Sequence, residues 1–233
     1  MTIFTSLPER TAVLFDLDGT IIDSRAGIIA TIHRVIAELG HEPDRSVDLT
    51  WVVGPPLADL IGQVIAHYGD TRTDHAIALY RAFYQDVGVP STPLFPHMAS
   101  YLEALSASET KLYLATSKPA VLARQILARH GLDACFDAIC GANPDDTGAE
   151  KPEMIAGILR DHDLRPERCV MIGDRRFDIS GAHANAMRAI GVLWGYGGEA
   201  ELTEAGADAI VTVPDGLPDA IERQLRLSAA HTA

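Results

Sequence analysis

Four short stretches combine residue types that can do phosphate or metal chemistry. In Asp16-Leu17-Asp18-Gly19-Thr20, Leu17 separates two carboxylates, and extended backbone would send both to one side of the chain. Thr116-Ser117-Lys118-Pro119 offers a hydroxyl, backbone N–H donors and a cation just ahead of a helix, the make-up of a phosphate site. Lys151, in Glu150-Lys151-Pro152, stands at the start of a predicted helix, where a cation opposes the helix dipole. In Gly173-Asp174-Arg175-Arg176-Phe177-Asp178 the two aspartates are four residues apart, so one helix can hold both near a common point. Hard carboxylates converging there with Asp16 suit a divalent cation, above all Mg2+. Each stretch also has a plainer use. Asp-Gly-Thr makes Asx turns, Ser, Thr and Asp174 can cap helices, and a lysine is usually solvated. The plain use fits Lys151 least well, because the chain has only three lysines, Lys111, Lys118 and Lys151.

The elements that would position these stretches follow from apolar patterning. Thr11–Phe15 is a buried strand ending in acidic residues. Helical spacing then runs over Ser24–Leu39, with Ser24 suited to the start and Gly40 to the end, over Leu57–Ile65, and over Thr73–Val87. Pro90, Pro93 and Pro96 break the pattern and read as a return linker. Beyond it helices and strands alternate. Strands are predicted at Leu112–Ala115, Ala138–Cys140, Cys169–Ile172, Ala189–Val192 and Ala209–Val211. Helices are predicted at Met98–Ala107, Ala120–His130, Pro152–His162, Phe177–Ala186 and Leu217–Leu227. Such alternation implies βαβ units and a parallel sheet, with sites at the carboxyl ends of strands. The expected fold is α/β, a three-layer, Rossmann-like parallel-sheet core with a small all-helical cap inserted after the first strand. Residues 1–22 and 94–233 would form the core and residues 23–93 the cap.

The 233 residues suffice for one or two domains with a real core, and 47% hydrophobic and 22% charged residues are ordinary globular values. A net charge of −13 argues against nucleic acid and anionic membrane as partners. Small phosphorylated substrates remain compatible, because a local site can oppose the global field. Three cysteines, Cys135, Cys140 and Cys169, without CxxC spacing fit reduced thiols in a cytoplasmic protein. The N-terminus lacks the marks of a signal peptide, and no apolar run reaches the roughly 18 residues of a membrane span.

Taken together, the stretches VLFDLDGTIIDS, LYLATSKP, Lys151 and MIGDRRFDISGA occur in the order and spacing of a known superfamily. The chain resembles the haloacid dehalogenase-like hydrolases, and within them the phosphoglycolate phosphatase-type phosphatases with a helical cap, from about Thr11 to Leu227. It departs at Arg175, which stands where many relatives have a small Ser or Thr. The resemblance implies Asp16 as nucleophile, giving an aspartyl-phosphate, and Asp18 as general acid and then base. It implies Mg2+ bound by Asp16, Asp174 and the Asp18 carbonyl, with Asp178 supporting the carboxylates. Thr116 and the Ser117 N–H would hold phosphoryl oxygens, and Lys151 would neutralise the nucleophile–phosphate pair. Gly19, Thr20, Ser117 and Lys118 would bind the substrate's phosphate, and Arg25, Arg175 and the Gly54-Pro55-Pro56-Leu57 loop are candidate substrate contacts. Gly19 and the segment from Pro90 to Pro96 are candidate hinges for cap closure.

The implied function is Mg2+-dependent hydrolysis of a small phosphorylated metabolite by a monomer or homodimer, phosphoglycolate first. A 5′-nucleotidase or sugar phosphatase is the nearest rival, and a sugar-phosphate mutase shares the motifs. A 2-haloacid dehalogenase would lack the second carboxylate of the first motif, so Asp18 speaks against it. A phosphonoacetaldehyde hydrolase would need a cap lysine for a Schiff base, and Asp23–Pro93 contains five arginines but no lysine. A non-catalytic binding module could have lost any of the four motifs, yet all are intact.

Overall fold

The structure is a computed structural model, and it describes residues 3–4, 7–47, 49–53 and 57–230. The chain divides into two compact units, Met1–Ile22 with Leu94–Ala233, and Asp23–Pro93.

The larger unit is built on six parallel strands, β1 (Ala12–Phe15), β2 (Lys111–Pro119), β3 (Ala138–Ala142), β4 (Cys169–Gly173), β5 (Arg188–Val192) and β6 (Ala209–Val211). Their order in the sheet is β3-β2-β1-β4-β5-β6. Strand β1 therefore lies at the centre, between β2 and β4, where the strand order reverses direction. Open α/β sheets bind ligands beyond the strand ends at such a switch point. Every residue of β1 is buried, which is why it reads as an unbroken apolar run.

Side chains alternate across the sheet. Ala12, Leu14, Tyr113, Ala115, Cys169 and Met171 pack with Ile155, Ile158 and Leu159 of α6 (Lys151–Asp161) and with Ile179 and Ala182 of α7 (Arg176–Ala184). The intervening Val13, Phe15, Leu112, Leu114, Val170 and Ile172 are equally buried. They fall on the opposite face, served by α4 (Met98–Ser106) and α9 (Leu217–Ala230). Helices α5 (Ala120–Arg129) and α8 (Glu199–Glu204) complete the unit.

The smaller unit holds α1 (Arg25–Glu38), α2 (Leu57–Ala66) and α3 (Thr73–Asp86), with 3-10 turns at Thr50–Val52 and Val89–Ser91, and no strand among its described residues. Helix α1 ends as expected, with Gly40 at φ +89°, a conformation suited to glycine after a helix. Its start differs in detail: Asp23 meets the first N–H, its Oδ1 accepting from Arg25 at 3.2 Å. A Cβ on Gly27 of α1 would come 2.7 Å from the Gly88 carbonyl, so that close approach requires glycine. Arg72 ties the α2–α3 connection to α1, donating to the Leu39 carbonyl at 2.7 Å and to Asp70.

Several predicted boundaries shift by a residue or more, and two differences bear on the site. Strand β2 continues past Ala115 through Thr-Ser-Lys-Pro, pairing Thr116 with Gly141 and Pro119 with Ala142 across a register irregularity. Asp174 lies in the turn after β4, and only Asp178 belongs to α7. No described helix is long and apolar enough to cross a membrane.

Candidate active site

Three of the four chemical stretches lie at the carboxyl ends of three adjacent strands. Asp16 follows β1, Thr116–Lys118 form the end of β2, and Asp174 follows β4. Register fixes their proximity: Phe15 pairs with Leu114 and with Ile172, and the Asp16 N–H donates to the Ile172 carbonyl at 2.9 Å.

Lys151 reaches this point from the first turn of α6. Its Nζ lies 2.7 Å from Asp16 Oδ1, 2.5 Å from Asp178 Oδ1 and 2.6 Å from the Ala115 carbonyl, so all three donors are used. The side chain is only 6% exposed. Helix packing permits this, because a Cβ on Gly181 of α7 would come 2.8 Å from the Lys151 Cβ. Asp178 also accepts the Arg175 N–H at 3.1 Å, which joins the α7 N-terminus to the lysine.

Asp174 is fully buried. Its Oδ2 accepts the Tyr196 N–H at 2.6 Å, while Oδ1 is buried with no hydrogen-bond partner among the described residues. Carboxylate oxygens of Asp16, Asp174 and Asp178 lie within 4.8 Å of one another. The Lys151 ammonium pairs with two of them, which leaves a formal excess of two negative charges among these four groups (three carboxylates minus one ammonium).

Burial first, and then that excess, set the acid–base balance. Burial pushes Asp16 above the ordinary carboxylate range; Lys151 opposes the shift and Asp178 reinforces it. Asp174 is raised well above that range, by burial and then by Asp16 and Asp178, against the Tyr196 N–H. Burial alone would lower the Lys151 pKa, but the Asp16 and Asp178 carboxylates outweigh it and keep the amine protonated. A divalent cation fits this donor set. The oxygens are hard, the charge excess is two, and the orphaned Asp174 Oδ1 is an acceptor awaiting a partner.

Asp18 stands in the tight turn after β1, where the Gly19 N–H donates to the Ile22 carbonyl at 2.9 Å. Its Oδ2 lies 3.2 Å from Lys118 Nζ, and its Oδ1 is buried without a hydrogen-bond partner among the described residues. Gly19 has φ +87°, and a Cβ there would run into the Asp174 carboxylate, so glycine is required on both counts. Thr116 is buried, its Oγ1 accepting the Lys118 N–H at 3.2 Å, whereas Ser117 is exposed.

The remaining candidate contacts each have their own surroundings. Thr20 is fully buried, and its carbonyl accepts the Trp194 Nε1–H at 3.0 Å. Arg175 directs its Nε to Glu201 Oε1 at 2.9 Å. Arg25 opens α1 in the helical unit. Within the Gly54-Pro55-Pro56-Leu57 loop, Gly54–Pro56 lie outside the described residues.

The sequence reading missed the segment after β5, Leu193-Trp194-Gly195-Tyr196-Gly197-Gly198. It supplies the Tyr196 N–H to Asp174, and a Cβ on Gly195 or Gly197 would collide with Asp174 itself. Its signal was present: glycines alternating with aromatics directly after a buried strand mark close backbone approach.

A family profile described as haloacid dehalogenase-like hydrolase matches residues 13–192. A 5′-nucleotidase of Pseudomonas aeruginosa is 38% identical over 190 residues, 82% of this chain and 86% of that protein. The tyrosine-protein kinase PtkA of Mycobacterium tuberculosis is 34% identical over 200 residues, 86% of this chain and 67% of that protein. A phosphoglycolate phosphatase of Cereibacter sphaeroides is 30% identical over 217 residues, 91% of this chain and 98% of that protein. Among solved structures, a haloacid dehalogenase-like family hydrolase of Streptococcus pneumoniae superposes with a TM-score of 0.80 at 30% identity, over 95% of this chain and 100% of that one. The chain belongs to the haloacid dehalogenase-like hydrolases. Within that family it is a phosphatase, a phosphoric monoester hydrolase.

Proposed function

We propose that this phosphatase hydrolyses a small phosphorylated metabolite by way of an aspartyl-phosphate on Asp16, with Mg2+ as its cofactor. The observation that carries the reading is the pairing of Asp16 with Lys151 at 2.7 Å beside an Asp174 carboxylate that has an unpartnered oxygen. Asp16, Asp174 and the Asp18 carbonyl would hold Mg2+, with Asp178 behind them. Bound there, Mg2+ would offset the repulsion between a carboxylate nucleophile and a phosphate dianion.

The chain's own residues supply the rest. Asp16 attacks phosphorus as the P–O bond to the alcohol breaks, and Asp18 gives its proton to the departing oxygen. Asp18 then takes a proton from water as the water oxygen attacks phosphorus, which releases Asp16 and inorganic phosphate. Lys151 keeps its charge beside Asp16 throughout, and Thr116 and the Ser117 N–H hold phosphoryl oxygens. The helical unit Asp23–Pro93 acts as a cap that excludes water and selects substrate.

Phosphoglycolate is the first substrate proposed, on the likeness of the motifs. Nucleoside monophosphates are the second, favoured by the 38% identity to a 5′-nucleotidase. The test is a phosphatase assay over phosphoglycolate, nucleoside monophosphates, sugar phosphates and pyrophosphate, with Mg2+ and with EDTA. Turnover of one of the first two classes, abolished by EDTA and restored by Mg2+, is expected. Preference for a phosphoprotein, or turnover indifferent to EDTA, would overturn the reading.

A further inference from the structure

We propose that Lys118 is a positioning residue that aims the proton-transferring carboxylate of Asp18, rather than a ligand of the phosphate. The inference rests on the reading of Asp18 as general acid and base.

The two oxygens of Asp18 have different surroundings. Oδ2 is paired with Lys118 Nζ at 3.2 Å, and Oδ1 is buried with no partner among the described residues. A carboxylate on a short side chain can turn about two bonds, and an ion pair to one oxygen selects a single orientation. The lysine is itself a firm anchor. Its side chain is 9% exposed, so its charge is little screened by solvent. Its backbone is fixed from two sides: its N–H donates to the buried Thr116 hydroxyl at 3.2 Å, and its carbonyl lies against Gly141, where a Cβ would come within 2.5 Å. Lys118 lies in the stretch of β2 between Thr116 and Pro119 where the register against β3 is irregular. Lys151, by contrast, is fully engaged by Asp16, Asp178 and Ala115. The two site lysines therefore divide the work, one on the nucleophile and one on the acid.

In this arrangement Oδ1 is the oxygen that exchanges the proton. As the phosphorus–oxygen bond breaks, the proton on Oδ1 passes to the leaving oxygen, and the next proton comes to Oδ1 from the attacking water. A residue that orients a general acid matters in proportion to how much the leaving group needs a proton. A residue that holds phosphate matters equally for every monoester.

The experiment compares p-nitrophenyl phosphate, whose leaving group departs without protonation, with phenyl phosphate, similar in size but a poorer leaving group. Wild type, Lys118→Met, Lys118→Arg and Asp18→Asn are assayed with Mg2+, together with inhibition by inorganic phosphate. Lys118→Met is expected to lower kcat on phenyl phosphate at least about tenfold more than on p-nitrophenyl phosphate, a fraction of the ~10²–10⁴-fold that general acid catalysis supplies. KM and phosphate inhibition should change little, and Lys118→Arg should recover part of the loss. Equal losses on both substrates, or a raised KM with weakened phosphate inhibition, would overturn the proposal and make Lys118 an anion ligand. If Asp18→Asn shows the leaving-group dependence and Lys118→Met does not, only the positioning role falls. If Asp18→Asn also lacks it, the assignment of Asp18 falls and takes this proposal with it.

Discussion

Lys151 and Lys111 differ in what their charge is for. Lys111 is well exposed and pairs with Asp137 at 2.9 Å at the amino end of β2, away from the strand ends that gather the aspartates. Lys151 is buried against two carboxylates. Losing a fixed cation from a site where charge develops costs about 10²–10³-fold in rate. Lys151→Ala should lose kcat on that scale and bind inorganic phosphate more weakly, while Lys111→Ala should stay near wild type. Equal effects in steady-state assays would contradict the placement of the site. Asp174 allows a different test, in metal-free protein. Its folded-state pKa is raised, so its contribution to folding is complete below the ordinary value of 3.8 and is lost as pH rises through the folded value. Its charged form is thus a cost at alkaline pH. Asp174→Asn removes that cost and keeps an oxygen for the Tyr196 N–H. With EDTA at pH 8 it should melt above wild type, by about 2–4 °C for each kcal/mol gained. The difference should shrink toward pH 4. A lower or unchanged melting temperature at pH 8 would show that Asp174 is not held under electrostatic strain.

At the scale of elements, the site is made by strand ends and by what may not protrude between them. The glycines at 19, 173, 195 and 197 lie where a side chain would strike Asp174 or Asp178. Gly197→Ala puts a methyl on the Asp174 carbonyl, and Gly198→Ala puts one into open space. The first should cost about 1–3 kcal/mol of stability and about 10²-fold in activity through a displaced Asp174, the second little of either. Thermal melts and phosphatase rates on the pair check this, and comparable behaviour of the two would refute it. The same elements mark what the sequence revealed. Strands β1 and β4 were legible because they are buried on both faces and end abruptly in aspartate. The end of β2 was not, because Thr-Ser-Lys-Pro is polar and reads as loop, and only pairing with Gly141 and Ala142 of β3 extends it. Helix α8 was missed because its six residues bury one apolar side chain, Leu202, too little for a periodic signal. The Tyr196 contact is made by a backbone N–H, which carries no residue signature, so only the flanking Gly195 and Gly197 mark the close approach.

At the scale of the molecule, an acidic chain must gather local positive charge to work on an anion. The net charge is −13, and the sequence places two of its three lysines at the switch point of the sheet. That concentration, together with a charge excess suited to a divalent ion, is the physical content of the proposed mechanism. Its central claim is that the Asp16 carboxylate itself attacks phosphorus. Asp16→Asn keeps the volume and a hydrogen-bond acceptor for Lys151 but removes the nucleophile. The decisive measurement is its kcat on the best substrate in Mg2+, on protein whose circular dichroism matches wild type. A fall of at least about a thousandfold is predicted for a lost covalent nucleophile. A turnover rate near wild type in correctly folded Asp16→Asn would contradict the account.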